Sequence, residues 1–147
     1  MHTNEQLKAT GKLDIKIYSP EGNLKEKVHV PNLVVTAGRN FIVDRMLGTS
    51  DDVMSHMAIG TDGTAAALGD TTLGAEVHRN ALDSAVDGTN VITYEATFDP
   101  GEGTAALEEA GIFNAASSGT MLCRTTFDVV NKAAGDTMII TWTVTIS

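Results

Sequence analysis

Cysteine, proline and aromatic residues are scarce in this chain of 147 residues. Its one cysteine, Cys123, cannot form a disulfide within the chain or build a cysteine-based zinc site, and a lone thiol is typical of proteins that fold in a reducing compartment. The chain has only three prolines, four phenylalanines, two tyrosines and one tryptophan. Glycine, with 14 residues, is abundant together with threonine, alanine and valine, a composition typical of short strands joined by turns.

Long apolar segments are also missing. No run approaches the roughly 20 apolar residues that a membrane-spanning helix needs, and residues 1–10 are polar, so we expect neither a membrane span nor a secretory signal. Hydrophobic residues make up 42% of the chain and charged residues 20%, which is ordinary for a globular protein. The length is that of one domain that can bury a core of its own.

Basic residues are nearly confined to the first third of the chain. Residues 1–48 carry seven Lys and Arg against five Asp and Glu, whereas residues 49–147 carry three against fourteen. The formal net charge of −9 therefore comes from the later two thirds, which would repel phosphate backbones, and we expect no nucleic-acid binding. The basic third could bind an acidic protein surface or pair with the chain's own acidic residues, and the sequence leaves both open.

The first hairpin is the clearest local pattern. After a polar segment without periodicity at residues 1–10, which we expect to be a flexible arm, residues 12–17 alternate between charged and apolar side chains. A turn containing Pro and Gly at 19–23 leads to a second alternating segment at 24–30. Pro31 lacks an N–H donor, so we expect this second strand to end there or to lie at a sheet edge.

One helix and several further strands follow. Residues 36–48 predict the helix, with Thr36 as its N-cap and Gly48 at its C-terminal end. The remaining predicted strands are short and separated by turns: 55–60, 77–86, 92–98, 108–113, 121–127 and 138–146. Seven or eight short strands with one short helix predict a mainly β fold, an antiparallel β-sandwich or jelly-roll-like architecture, formed by a single domain over residues 11–147.

Residue types that carry catalysis or bind metals are present but not clustered. Four histidines are spread along the chain: His2, His29, His56 and His78. None lies within a few residues of another histidine or of Cys123, which excludes a local metal pair. We expect His56 to be packed in the interior or at an interface, and His29 and His78 to point outward. Cys123 is expected to be a small core residue rather than a nucleophile.

Acidic pairs and glycine-rich loops give no enzyme signature. Glu108 and Glu109 are adjacent, and adjacent side chains of an extended strand point to opposite faces, so they should not share a proton. Residues 51–52, both Asp, read as a solvated loop. Residues 60–64 have the glycines of a phosphate loop but not its Gly-Lys-Ser/Thr ending, and residues 62–70 lack the EF-hand spacing. We expect no enzymatic activity, no cofactor and no metal; a glycosidase pair of distant carboxylates stays open.

Five segments together resemble a family of small virion proteins of tailed bacteriophages. They are 32–41 (NLVVTAGRNF), 57–61 (MAIGT), 73–76 (LGAE), 109–114 (EAGIFN) and 139–144 (IITWTV). Proteins of this family are described as head-decoration, tail-fibre or unnamed structural proteins, and the resemblance spans residues 12–147. It implies a virion component that is made in the cytoplasm of a bacterial host, and it leaves the part of the particle open.

The resemblance to decoration (cement) proteins implies a place on the capsid surface. It implies a homotrimer near local threefold axes that binds the major capsid protein, and a protein that binds the assembled head selectively stabilises it. A compact domain with a short arm favours this interpretation over a fibre. We expect contacts from the arm and the exposed hairpin face, whose lysines would steer docking onto an acidic capsid surface. These capsid-contact candidates are Lys8, Lys12, Lys16, Lys25 and Lys27.

A tail-fibre or tail-tip module that binds a host receptor or glycan is the main alternative. Such a module would expose aromatic or polar loop clusters. Tyr94 and Trp142 are the aromatic candidates for this role, and the alternation of their strands predicts that both are buried. A small glycan or peptidoglycan hydrolase is a more distant alternative.

Overall fold

The computed structural model describes residues 5–48 and 51–147. This part of the chain forms nine strands and one helix. In chain order they are β1 (Ala9–Tyr18), β2 (Leu24–Val34), α1 (Thr36–Met46), β3 (His56–Gly60), β4 (Glu76–Ala81), β5 (Ser84–Asp87), β6 (Val91–Phe98), β7 (Ala105–Phe113), β8 (Met121–Lys132) and β9 (Thr137–Ile146). All pairings between these strands are antiparallel.

The strands form one sheet with the order β4-β3-β7-β8-β2-β1-β9-β6-β5. Its central strand, β2, pairs with β1 from Leu24 to Asn32 and with β8 at Leu33 and Val34. We call the half formed by β2, β1, β9, β6 and β5 sheet A, and the half formed by β4, β3, β7, β8 and the end of β2 sheet B. Both alternatives predicted from Pro31, that the second strand ends there or lies at a sheet edge, are wrong. The central strand β2 continues to Val34 and changes its partner next to Pro31, where a missing N–H is tolerated.

The two ends of the sheet meet because β4 and β5 are consecutive in the chain. Only Leu82 and Asp83 separate them; the Leu82 N–H donates to the Ser55 carbonyl next to β3, and the Asp83 N–H donates to the Glu95 carbonyl of β6. The single strand predicted for residues 77–86 is therefore wrong, since the chain crosses from sheet B to sheet A at this point. The sheet curls into a half-barrel, and the predicted mainly β, antiparallel, sandwich-like fold with one helix is confirmed.

The inner side of the curled sheet holds the main core. Sheet A contributes alternate residues of three neighbouring strands: Leu13, Ile15, Ile17, Tyr94, Ala96, Phe98, Met138, Ile140 and Trp142. Sheet B contributes Met57, Ile59, Leu107, Ala110 and Ile112. A smaller cluster lies on the other face of sheet B: Val35, Ala58, Leu73, Phe113 and Met121. The middle of sheet B is therefore buried on both faces, whereas its edge strand β4, the end of β8 and the outer side chains of sheet A stay partly exposed.

Helix α1 packs against the start of β8. Gly38 lies so close to that strand that a Cβ placed on it would collide with the Leu122 carbonyl oxygen. The helix begins after Val35, which makes no side-chain capping hydrogen bond, so the prediction of Thr36 as N-cap is wrong. Gly48 follows the helix with φ of +69°, as predicted for its C-terminal end, because this left-handed conformation favours glycine.

The N-terminal arm is shorter than the predicted residues 1–10. Strand β1 begins at Ala9, and the backbone of Lys8 exchanges hydrogen bonds of 2.6 and 2.8 Å with that of Ser147. Residues 8–10 therefore belong to the sheet, because β9 extends far enough to pair with them. Residues 5–7 are exposed and form no strand, and residues 1–4 of the predicted arm lie outside the described residues.

Candidate functional site

The outer face of sheet A carries basic residues of the first hairpin. Because side chains alternate along a strand, the apolar residues of β1 point to the core and the charged ones lie on the opposite face. The register of β1 and β2 places two residues of β2 beside them. We call this surface the lysine face, and it consists of Lys12, Asp14, Lys16, Lys27 and His29.

Two ammonium groups of the lysine face come from directly opposite positions. Lys16 and Lys27 are partners in the β1–β2 register, and the residue on the other side of Lys16 is Ile139 of β9. Opposite residues of an antiparallel pair have Cβ atoms about 4.5–5.5 Å apart, and like charges there repel each other. Neither lysine forms an ion pair with another residue of 5–48 or 51–147. The fold thus holds two positive charges side by side, and neither is neutralised by an ion pair within this part of the chain.

The carboxylate of the lysine face is engaged by a histidine. Asp14 Oδ1 lies 2.6 Å from Nδ1 of His29, its partner in the register. Asp14 stands between Lys12 and Lys16 along β1. With His29 neutral, three lysines and one aspartate leave the face with a net charge of +2. The surface is therefore basic in a chain whose net charge is −9.

Lys25 is not part of this surface. The register shifts between Ile17 and Tyr18, which leaves Lys25 without a partner on β1. Its Nζ lies 2.8 Å from Oδ2 of Asp136, whose side chain is only 2% exposed, in the turn between β8 and β9. The hydrogen bonds from Lys25 and from the Ala133 N–H hold the pKa of Asp136 below its ordinary value. Lys25 thus connects the start of β2 to the turn between β8 and β9.

Lys8 is also separate from the lysine face. It lies beside Ser147 at the end of β9 and lines a depression next to Arg39 and Val43 of α1. Of the five lysines predicted as contact residues, the fold therefore brings three together on one face: Lys12, Lys16 and Lys27.

A buried ion pair on the outer face of sheet B escaped the sequence analysis. Glu109 of β7 is fully buried and Arg124 of β8 is 3% exposed, and Arg124 Nη2 lies 3.0 Å from Glu109 Oε1. One signal could have indicated it. Arg124 is the only charged residue in the predicted strand 121–127, and a lone charge in an apolar strand needs a buried partner.

This ion pair holds the loop of residues 61–75 against sheet B. Glu109 accepts hydrogen bonds of 2.7–3.0 Å from three backbone N–H groups of the loop: Asp62, Gly74 and Ala75. Arg124 donates to two loop carbonyls and one loop carboxylate: Asp62, Thr64 and Asp70. Gly60, at the start of the loop, leaves no room for a Cβ next to Ala75 and Glu109. The hydrogen bonds of Glu109 and Arg124 therefore hold this loop in place on sheet B.

The surface over this cluster is a small polar depression of about 290 Å³. Its acidic groups are engaged within the loop: Asp62 accepts the Thr64 N–H, and Asp70 accepts the Ala67 N–H. The hydrogen bonds from Thr64 hold the pKa of Asp62 below its ordinary value. In the described ranges, no group of three or more His, Cys, Asp or Glu residues is placed to hold a metal ion.

The thiol and the two aromatic candidates are buried, as predicted. Cys123 is fully buried, and burial raises the pKa of its thiol far above the ordinary value. The thiol is therefore neutral and shielded, which is unsuited to nucleophilic attack. Trp142 is fully buried and Tyr94 is 6% exposed, so neither ring offers a surface on which a sugar could stack.

The histidines follow the predictions only in part. His29 is exposed, as expected, and His56 is half-buried next to the Ser55 hydroxyl at 2.8 Å. The outward position predicted for His78 is wrong. Its ring is half-buried, lies edge-on to Phe98 at 6.1 Å and hydrogen-bonds to Asn80 at 2.8 Å, because β4 closes the sheet against β6.

Comparison with known proteins gives no match: no family model, no curated protein and no solved structure corresponds to this chain. Across residues 5–48 and 51–147, no helix is both long and apolar enough to cross a membrane. The lysine face and the ion pair of Glu109 and Arg124 under the loop are thus the features of the structure that bear on function.

Proposed function

We propose that this protein is a structural component of a tailed-phage virion without enzymatic activity, a decoration protein that binds the outside of the assembled capsid. The observation that carries the proposal is the pair of lysines, Lys16 and Lys27, which are held opposite each other and form no ion pair with any of the described residues. Such a pair lowers the stability of the free protein. An acidic partner surface would remove the repulsion, so the cost is recovered on binding.

The two sheets differ in a way that suits docking through sheet A. The loop of residues 61–75 covers the part of the outer face of sheet B around Glu109, whereas the outer side chains of sheet A remain partly exposed. Charge complementarity between the lysine face and acidic groups of the major capsid protein would steer the encounter and fix the orientation. No bond is made or broken in this role.

Stabilisation of the head follows from mass action. A protein that binds assembled capsid more tightly than free subunits shifts the equilibrium toward the assembled state. We further propose that the chain acts as a homotrimer, because three linked lysine faces would bind three sites with a higher effective concentration than single ones.

Binding to heads tests the proposal directly. Expanded empty heads that lack this chain are prepared from the phage that encodes it and are mixed with the purified protein. Co-sedimentation of the protein with the heads is then measured over a range of salt concentrations. We expect saturable binding that weakens with salt, and the double variant K16E/K27E to bind at least about tenfold more weakly. Lys8→Glu, which lies off the lysine face, is the matched control and should change affinity less than about twofold.

Two results would contradict the proposal. The first is full binding of K16E/K27E to heads. The second is a wild-type protein that ignores heads but binds tails or host cells, which would support the receptor-binding alternative. The abundance of the chain in purified virions gives an independent check, because a decoration protein is present in far more copies than a tail protein.

A further inference from the structure

Strand β2 has a neighbour on each side in the sheet order, but not along the same residues. From Leu24 to Asn32 it pairs with β1, whereas β8 pairs only with Leu33 and Val34. In the described part of the chain, no strand therefore pairs with the other side of residues 24–31. We call this side the open edge of β2. The backbone groups of an unpaired edge can pair with a strand of another protein.

The register shows which backbone groups point to the open edge. The N–H and carbonyl groups of successive residues in a strand point to opposite sides. Lys8 exchanges two backbone hydrogen bonds with Ser147, so the even-numbered residues of β1 bond to β9 and the odd-numbered ones bond to even-numbered residues of β2. The odd-numbered residues of β2 therefore point to the open edge. The Pro31 carbonyl agrees with this direction, since it accepts a hydrogen bond of 2.8 Å from the Thr125 hydroxyl of β8.

Two exposed residues in the middle of the open edge have unused backbone groups. They are Lys27 and His29. Across residues 5–48 and 51–147, neither their N–H groups nor their carbonyls have a backbone partner on this side. Pro31 ends this stretch because it has no N–H to donate. The open edge thus offers two donors and two acceptors in the spacing of a strand ladder.

The inner face of β2 is also incompletely covered along the open edge. Val28 and Val30 pack against the core but are only half-buried. Their partners in the register, Ile15 and Leu13 of β1, are fully buried. The difference arises because β1 has a strand on both sides and this part of β2 has one. A further strand would cover the two valines.

We propose that an extended segment of a partner protein adds to sheet A as a further strand along the open edge of β2. The backbone groups of Lys27 and His29 would pair with the segment, and the side chains on its two faces would give specificity. Acidic residues on the outer face would lie next to Lys27. Apolar residues on the inner face would pack on Val28 and Val30. The segment therefore alternates acidic and apolar residues.

Acidic residues of the chain restrict the charge of the segment to one face. On the outer face, Asp14 is engaged by His29. Glu26 belongs to the inner row of β2, and Asp128 of β8, the other strand that borders the open edge, is exposed. Like charges on neighbouring strands destabilise the pairing. We therefore expect carboxylates of the segment only beside Lys27.

The open edge of a second copy of this chain is a poor occupant. Antiparallel pairing of two such edges would place Lys25, Lys27 and His29 beside their counterparts, and like charges in these positions repel. Lysines on an edge strand protect proteins against pairing of this kind. The inference rests on the proposed function, because it specifies how acidic residues of a partner meet the lysine face.

A synthetic peptide tests the strand pairing. The probe is a fluorescein-labelled peptide of about seven residues that alternates Glu and Val, and fluorescence anisotropy measures its binding. We expect a dissociation constant below about 1 mM, and a peptide with Lys in place of Glu should bind at least about tenfold more weakly. Methylation of one alternate set of its backbone nitrogens should abolish binding, whereas methylation of the other set should be tolerated, because only one set faces β2.

His29→Pro tests the role of the backbone at the open edge. It removes one N–H from this edge and leaves the ladder to β1 intact, since that N–H does not bond to β1. His29→Ala is the matched control, because it removes the same imidazole and keeps the N–H. We expect H29P to bind the peptide at least about tenfold more weakly than H29A. Urea unfolding verifies that both variants fold.

Three results would overturn the inference: no binding of the Glu–Val peptide below about 1 mM, equal binding by H29A and H29P, or equal binding of the two methylated peptides. The same variants mixed with empty heads separate the inference from the proposed function. Heads that bind the wild type and H29P equally would overturn this inference alone. A wild type that binds the peptide but not the heads would overturn the proposed function alone.

Discussion

Arg124 Nη2 lies 3.0 Å from Glu109 Oε1, and both side chains are sealed between sheet B and the loop that covers it. Glu109 also accepts three backbone hydrogen bonds from that loop. Removing one partner of a buried ion pair leaves the other charge uncompensated in a medium that solvates it poorly. We therefore expect the Glu109 carboxylate to contribute strongly to the stability of the fold.

Glu109→Gln should lower the free energy of unfolding by up to about 3–5 kcal/mol, because it removes the fully buried counter-charge of Arg124 and leaves that guanidinium only the partly exposed carboxylate of Asp70. The side chain of Gln also directs an NH₂ group at the backbone donors of the loop. Urea unfolding followed by circular dichroism measures the loss. The neighbouring Glu108→Gln, at a partly exposed position, should change stability by less than about 0.5 kcal/mol. Equal effects of the two variants would contradict the structural role of Glu109.

The free energy of unfolding should decrease at acidic pH, because the carboxylate of Asp136 becomes protonated. Its pKa is held below the ordinary value in the folded protein, so the unfolded chain binds the proton more readily. The stabilisation is complete above the unfolded pKa of about 3.9 and is lost as the pH falls through the lower folded pKa. Urea midpoints between about pH 5 and pH 2.5 should therefore decrease.

Two variants identify the source of this pH dependence. Asp136→Asn and Lys25→Gln should each give a shallower decrease than the wild type, since each removes one side of the 2.8 Å ion pair. Some dependence should remain, because the pKa values of Asp62 and Glu102 are also lowered by hydrogen bonds. An unchanged slope in Asp136→Asn would refute the assignment.

Gly38→Ala should destabilise the protein by about 1–3 kcal/mol, although alanine is the better helix former by about 1 kcal/mol. The reason is the Leu122 carbonyl of β8, which occupies the place of the added methyl group. Gly69 has open space around its Cα, so Gly69→Ala should stay within about 0.5 kcal/mol of the wild type. Thermal unfolding of both variants compares them; a tolerant Gly38 would mean that α1 can move away from β8.

The single thiol should react slowly in the folded protein. Cys123 is fully buried and its pKa is raised, so a chromogenic disulfide reagent can reach it only when the sheet opens. We expect the reaction at pH 8 to be more than about a hundredfold slower than in the urea-unfolded chain. Comparable rates in the two states would show that the pairing between β2 and β8 opens readily in the folded protein.

Alternation of side chains was sufficient to predict four of the five strands of sheet A, whereas β5 was merged with β4 in the prediction. β1, β2, β6 and β9 are half-exposed, so their patterns repeat every second residue and are legible in the sequence. In sheet B, β7 begins earlier and β8 ends later than predicted. The predicted segments 108–113 and 121–127 cover the mostly buried parts of these strands, and the residues that were missed include the exposed Ala106, Asp128 and Val129. The crossing at Leu82–Asp83 left no pattern, since it depends on which strands meet in space.

Only part of the candidate site could be predicted from the sequence. The outward positions of Lys12, Lys16 and Lys27 follow from alternation, but their grouping depends on a register that a shift beside Tyr18 determines. That shift, together with the acidic turn at Asp136, removes Lys25 from the group. The pairing of Glu109 with Arg124 joins neighbouring strands fifteen residues apart, and adjacency in a sheet is not encoded in either residue alone.

Strand β2 belongs to both halves of the molecule, with the lysine face on its first part and the ladder to β8 on its last two residues. A force applied at Lys27 would therefore be transmitted to sheet B through the backbone of one continuous strand, without an intervening loop. If the lysine face is where the chain binds a shell under internal pressure, the mechanical load would pass from β2 to its partners in both halves, β1 and β8, and not to the first hairpin alone.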